Sequence, residues 1–328
     1  MSRRRSVWQL TVMSIVLVGA SFGGATAAQG AAQQQQATLE QTTDECVEHS
    51  SGRVPKWAKE LPEPTALSPA QAAQVEQRMQ PGVTAAERES ARGQLRNGRI
   101  PIPTWIHVIS IDETSAGGNV SDDQIDAQMR VLNSSFAGQT GGGAPTVFRF
   151  VLAGTSRTVN PSWAVMDPES DEELAAKTAL HRGGPGTLNI YVTQTPQYLG
   201  WAYLPDGQVE NTVIDGVVVL DGSLPGGDVV PYNEGDTVVH EVGHWLSLWH
   251  TFDNACRPPG DYVVDTPYEA EPAFGCPIGR NTCRQPGTDP VKNFMDYADD
   301  PCMDQFSRGQ SIRMWASWLT YRQGAPGW

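Results

Sequence analysis

Basic residues and cysteines are both scarce in this chain, and each scarcity narrows what it can do. Lys and Arg number 23 against 37 Asp and Glu over 328 residues, a net charge of −14. The excess lies from Pro101 onward, where 12 basic side chains face 28 acidic ones. A surface of that sign repels phosphate backbones and argues against nucleic acid as a partner. It suits cationic substrates or bound Ca²⁺, or equally plain solubility outside a cell. The five cysteines include no CxxC pair, which argues against a zinc ribbon. A long apolar run is missing too, except near the start. Met1 to Ala27 reads as a secretory signal, with Arg3, Arg4 and Arg5 before the apolar stretch around Val12 to Val18 and an Ala25-Thr26-Ala27 cleavage site. Gln9 and Ser14 interrupt that stretch and it is short for a spanning helix, so no anchor is expected after cleavage. The mature protein is therefore expected to be extracellular, with its cysteines in an oxidising setting.

Histidine is rare as well, yet three of the six fall within His240-Glu241-Val242-Gly243-His244-Trp245-Leu246-Ser247-Leu248-Trp249-His250. On a helix, His240 and His244 project from one face a turn apart, so both imidazoles reach one tetrahedral Zn²⁺. Glu241 then lies beside the metal's water as a general base and not as a ligand. His250 reaches the same ion only if the helix ends near Ser247 and the chain turns sharply. The alternative, a set of satisfied core histidines, is weakened by the third histidine and by a methionine downstream, Met295. The spacing is similar to the metzincin pattern HExxHxxGxxH, from which Ser247 departs. Glycine there takes a left-handed conformation that costs a serine on the order of 1–2 kcal/mol.

Three segments are expected: residues 1–27 as signal, 28–100 as propeptide or spacer, and 101–328 as the catalytic domain. The second holds Gln33 to Gln36, scattered prolines and few large apolar residues, and cannot build a core alone. It carries two helix starts, Ser68-Pro69 and the capping box Thr84-Ala85-Ala86-Glu87. Arg92, Arg96 and Arg99 are candidate points for its removal. Cys46, the odd cysteine, is a candidate zymogen switch that would offer a thiolate to the zinc, or an incidental thiol. From Pro101 strands are predicted at Trp105 to Ser110, Phe148 to Ala153, Leu188 to Val192 and Val217 to Leu220. A helix opens at the capping box Ser121-Asp122-Asp123-Gln124 and carries Ile125, Met129, Leu132 and Phe136. A final helix opens at Ser307, and Asp236 or Asn233 can cap the zinc helix. The alternation implies an α/β fold with a twisted, mostly parallel sheet and the zinc helix below one edge.

The runs Leu188-Asn189-Ile190-Tyr191-Val192, Gly200-Trp201-Ala202, Asp215-Gly216-Val217-Val218-Val219, Pro231-Tyr232-Asn233-Glu234-Gly235, His250-Thr251-Phe252 and Asn293-Phe294-Met295-Asp296-Tyr297 stand beside the zinc motif. Together they resemble the pappalysin family of metzincin metalloproteases, especially its small secreted microbial members. The resemblance covers roughly Pro101 to the C-terminus. It implies a metzincin-like zincin fold with a loop-rich, disulfide-bearing C-terminal subdomain. It further implies His240, His244 and His250 as zinc ligands, Met295 as the methionine turn beneath them, and Tyr297 as a donor to the oxyanion. The implied reaction is peptide hydrolysis by a zinc-bound water with Glu241 as base. Leu199 to Leu204 resembles the rim strand on which an extended peptide pairs. Spacing leaves three connectivities open for Cys256, Cys276, Cys283 and Cys302; the resemblance implies Cys256–Cys283 and Cys276–Cys302. It also implies calcium near Asp265 and Thr266. Asp299 or Asp300 would line the S1′ pocket and favour a basic P1′ residue. A monomer acting on proteins or peptides is expected. Two alternatives stay open: a zinc amidase acting on cell-wall peptides, and a non-catalytic zinc-stabilised binding module.

Overall fold

The computed structural model describes residues 52–59, 64–95, 98, 100–206 and 209–323. Residues 1–27, read above as a signal, together with Cys46, Arg96 and Arg99, lie outside the described residues. A six-stranded sheet runs in the order β1-β5-β6-β4-β2-β3. The strands are β1 (Gly52–Arg53), β2 (Ile100–Ser110), β3 (Phe148–Val159), β4 (Leu188–Thr193), β5 (Gly200–Ala202) and β6 (Val217–Leu220). β3, β2, β4 and β6 pair in parallel, while β5 and then β1 add on antiparallel at one edge. Central strands in a parallel sheet are covered on both faces, which explains why β4 is buried along its whole length. Its alternate side chains feed two cores, with Ile190 and Val192 entering the larger one and Tyr191 the smaller.

Helices α2 (Asp122–Phe136) and α3 (Asp171–Leu180) connect the strands, and α4 (Asp236–Trp245) packs against β5, β6 and α2. α2 begins at the expected Ser121 capping box and buries Ile125, Met129, Leu132 and Phe136. The last helix, α5 (Arg308–Ser317), begins at a capping box formed by Ser307 and Gln310. Between α4 and α5 the chain holds little regular structure beyond a short turn of helix at Asp300–Cys302, and disulfides join Cys256 to Cys283 and Cys276 to Cys302.

Two local expectations are corrected. The two short helices of the segment before Pro101 are one 23-residue helix, α1 (Pro69–Ala91), with Pro81 inside it. Tertiary burial overrides the proline: Ala72, Val75, Met79 and Ala86 enter the larger core. At Gly82 a Cβ would stand 2.6 Å from Ala316 O, so the glycine serves close packing on α5. Thr84 starts nothing; its hydroxyl donates to Gln80 O at 3.0 Å within the helix. The second correction concerns the cap of α4. Neither Asp236 nor Asn233 fills it. Gly235 does, at φ 98°, with Gln128 Nε2 donating to its carbonyl at 2.9 Å. Asn233 Nδ2 donates to Gly227 O instead.

Candidate active site

α4 sets His240 and His244 one turn apart, and both side chains are completely buried. The Nδ1 of His240 donates to Phe294 O at 2.6 Å and that of His244 to Leu248 O at 2.8 Å. A carbonyl only accepts, so each Nδ1 carries the proton and each Nε2 keeps a lone pair. Burial, with the neighbouring imidazoles His244 and His250, holds His240 well below the usual histidine range, and burial lowers His244 to about 3. Both rings are therefore neutral. Their Nε2 atoms lie 3.0 Å apart, and His250 Nε2 stands 3.2 Å from the first and 3.1 Å from the second. Lone pairs with no proton between them repel at that separation, whereas ligands of one tetrahedral zinc with bonds of ~2.0–2.1 Å sit about 3.3 Å apart. The residues fit zinc. Among the described residues no other trio of His, Cys, Asp or Glu converges in this way.

The turn between His244 and His250 is made at Ser247, at φ 66°. Leu248 N donates to Gly243 O at 2.9 Å and Ser247 N to His244 O at 2.8 Å, the pair of bonds that closes a helix on a left-handed residue. Serine thus does the glycine's work. Its hydroxyl pairs with Ser317 Oγ at 2.7 Å, and its carbonyl accepts Arg313 Nε at 2.7 Å. Ser247→Ala keeps the strained backbone and strands the buried Ser317 hydroxyl, so a loss of about 1–3 kcal/mol is expected in chemical unfolding. Ser247→Gly removes the same bond but relieves a strain of about 1–2 kcal/mol, so its loss should be smaller. A larger loss for glycine than for alanine would refute this account.

Met295 is buried directly against Gly243, where a Cβ would come within 2.4 Å of its sulfur. The His240–Phe294 bond ties the segment that carries Met295 to α4. Glu241, fully buried, lies against β5 at Gly200, where a Cβ would meet its Cγ at 2.9 Å. Its Oε1 accepts the backbone N–H of Arg53 at 2.9 Å, and the Tyr297 hydroxyl donates to Gly52 O at 2.6 Å. The side chain of Arg53 descends into a buried pocket. There it meets Asp300 Oδ1 at 2.7 Å, Ala298 O at 2.6 Å and Thr237 Oγ1 at 3.2 Å, with its guanidinium 5.1 Å from the Tyr232 ring centre. The backbone of Glu234 fixes Asp300 through its other oxygen at 2.8 Å. Asp299 turns away and accepts from Gly275 N at 3.2 Å.

Asp265 stands apart from the centre. Its carboxylate accepts from Ser307 Oγ at 2.7 Å and Gly309 N at 2.9 Å, capping α5, while Thr266 comes next in the same loop with its N–H on Val263 O. Sequence reasoning misses Gly52 and Arg53, Thr237 at the pocket wall, and the two glycines Gly200 and Gly243 that let Glu241 and Met295 approach. The one signal available for Arg53 is charge, an arginine after the acidic stretch Asp44 to Glu48.

Residues 187–318 match the profile of peptidase family M43, described as pregnancy-associated plasma protein-A. An extracellular metalloprotease of Pyricularia oryzae is 41% identical over 249 residues, which cover 74% of this chain and 84% of that protein. Extracellular metalloprotease 1 of Coccidioides posadasii is 40% identical over 246 residues, covering 74% and 85%. Mature mirolysin of Tannerella forsythia, solved with a cleaved peptide, superposes with a TM-score of 0.57 at 30% identity, covering 67% of this chain and 91% of that one. A promirolysin mutant from the same organism gives 0.60 at 26% identity, covering 73% and 88%. Among the described residues no helix is long and apolar enough to cross a membrane. Shared along most of both partners' length, this likeness makes the chain a member of the pappalysin family of metalloproteases.

Proposed function

We propose that the protein is a secreted zinc endopeptidase that hydrolyses the bond on the amino side of a basic residue. The observation that carries this reading is the convergence of three imidazole nitrogens beside Glu241. His240, His244 and His250 would hold the ion. Bound there, zinc supplies Lewis acidity, which lowers the pKa of a coordinated water towards 7 and polarises a carbonyl.

The chain's own residues do the rest. β5 offers its open edge to an extended peptide, as it does to Gly52–Arg53, and aligns the scissile bond by main-chain pairing. Glu241 takes a proton from the attacking water at its carboxylate and passes it to the leaving nitrogen, the atom it already accepts from. Tyr297 donates a hydrogen bond from its phenol to the carbonyl oxygen as negative charge gathers there, keeping its proton. Asp300 at the bottom of the pocket is the counter-charge for an arginine or lysine on the far side of the cut. A chain running through the site along β5, and not ending in it, favours an endopeptidase over an amidase of small substrates. Membership of a metalloprotease family leaves the binding-module alternative without support.

Digestion of a diverse peptide mixture tests the reading. Cleavage should require zinc, stop with a chelator, and fall ahead of Arg and Lys. Asp300→Ala should lower kcat/KM for such bonds by about 10–100-fold, the value of a hydrogen bond to a charged group, with little change at bonds preceding apolar residues. Equal losses on both kinds of bond would show that Asp300 does not set the preference.

A further inference from the structure

A second glutamate, behind the strand that would pair with substrate, is as deeply buried as Glu241. β5 alternates its side chains: Gly200 faces Glu241, and Trp201 points the opposite way into the smaller core. There α3 presents Glu173. Its Oε1 accepts the Trp201 indole Nε1 at 2.8 Å and the Lys177 ammonium at 2.7 Å. Its Oε2 accepts the Tyr203 hydroxyl at 2.7 Å and the Glu169 N–H at 2.8 Å. Together these donors fill the roughly four lone-pair sites of a carboxylate. Burial would raise this carboxyl, but Lys177 and the bonds from Trp201 and Tyr203 outweigh it and hold it below the usual range, so it is ionised at neutral pH.

Trp201 and Tyr203 are alternate residues, so one carboxylate grips the same side of the chain twice. Lys177, also wholly buried, extends the grip. Its Nζ donates to Ile214 O at 2.8 Å, just before β6, and stands 4.9 Å from the Tyr203 ring centre. β6 in turn pairs with β5 along its inner edge. A buried ion pair is a weak device for stability, because its desolvation offsets most of its attraction. What this one fixes is the placement of a strand. The open edge of β5 is where a peptide main chain would bond, and its height above Glu241 and the three histidines sets where the scissile carbonyl lies. A misplacement of about 1 Å there can cost on the order of 10²-fold in rate.

We propose that Glu173 is a positioning residue for peptide cleavage: through Trp201 and Tyr203 it fixes β5 at the height that lays an extended substrate across the metal centre. The inference rests on the endopeptidase reading above. Glu173 touches neither the substrate nor the reacting atoms, so its effect is confined to ligands that pair with β5.

The test compares zinc-loaded wild type with Glu173→Gln and Tyr203→Phe on an octapeptide with a central arginine. Acetohydroxamate serves beside it as a probe that reaches the metal and not the strand. Glutamine has a single acceptor oxygen and cannot hold all the donors, so kcat/KM on the octapeptide should fall by about 10–100-fold. Tyr203→Phe removes one bond and leaves the ion pair in place, so its loss should be about 3–10-fold. Zinc content and inhibition by acetohydroxamate should match wild type in both variants. Octapeptide cleavage equal to wild type in either folded variant overturns the proposal. An equal loss of acetohydroxamate affinity overturns it too, because the centre itself would then be disturbed. If Glu173→Gln does not fold, Tyr203→Phe decides alone. If wild type binds acetohydroxamate but cuts no peptide, the endopeptidase reading falls and takes this proposal with it.

Discussion

Glu241→Gln should slow peptide cleavage by about 10²–10⁴-fold while leaving zinc content and the unfolding midpoint near those of wild type. Glutamine keeps the shape of the side chain and an oxygen that can accept the incoming N–H, so the packing against Gly200 survives. It cannot take up a proton, and that is the whole of the change. Steady-state rates on an internally quenched peptide, with metal content measured on the same sample, check both halves. A variant that retains more than a tenth of wild-type activity would remove Glu241 from the role of base. Chelation should produce a comparable loss of rate together with a lower melting temperature. The metal binds only the folded histidine cluster and so stabilises it by mass action.

Glu76→Ala is expected to cost about 3–5 kcal/mol of stability, the largest loss we foresee for one side chain outside the metal site. The substitution leaves the Arg313 guanidinium, 5% exposed, without its carboxylate. It also strips the Trp249 indole of its acceptor. Chemical unfolding of the zinc-loaded protein measures the loss directly, and a value below about 1 kcal/mol would mean that water or another acceptor takes over. Arg313 also holds the Ser247 carbonyl, so zinc affinity should fall in the same variant. Composition alone assigns the helix that carries Glu76 to a propeptide or spacer. Its energetic coupling to the metal turn is therefore a sharp test of where the enzyme begins.

Legibility from sequence divides along a physical line. Elements whose signal is local are legible: the Ser121 and Ser307 capping boxes, the apolar stripe of α2, the β-branched run of β6, and the histidine spacing that forces a turn at Ser247. Features decided by distant partners are not. Pro81-Gly82 looks like a break until the close approach of Ala316 and Thr320 is known. The tie between Asp265 and α5, through Ser307 and Gly309, joins positions more than forty residues apart. Arg53 meets Glu241 across 188 positions of sequence and Asp300 across 247, separations at which no pattern within a window can point to the contact. The family resemblance supplies what spacing cannot, the pairing of Cys256 with Cys283 and of Cys276 with Cys302.

Those two bridges overlap along the chain, one spanning 27 positions and the other 26. Every backbone link from Cys256 to Cys302 consequently lies inside at least one covalent loop, and those from Cys276 to Cys283 lie inside both. The stretch has few hydrogen-bonded elements to shield it and carries Arg257, Arg280, Arg284 and Lys292. Under the preference for basic residues proposed above, those four side chains mark bonds that a neighbouring copy would cut. A single nick there opens a strand without releasing a fragment, because the sulfur bridges still join both sides of the break. A molecule nicked there stays in one piece, with His250 and Tyr297 still tethered to a common framework.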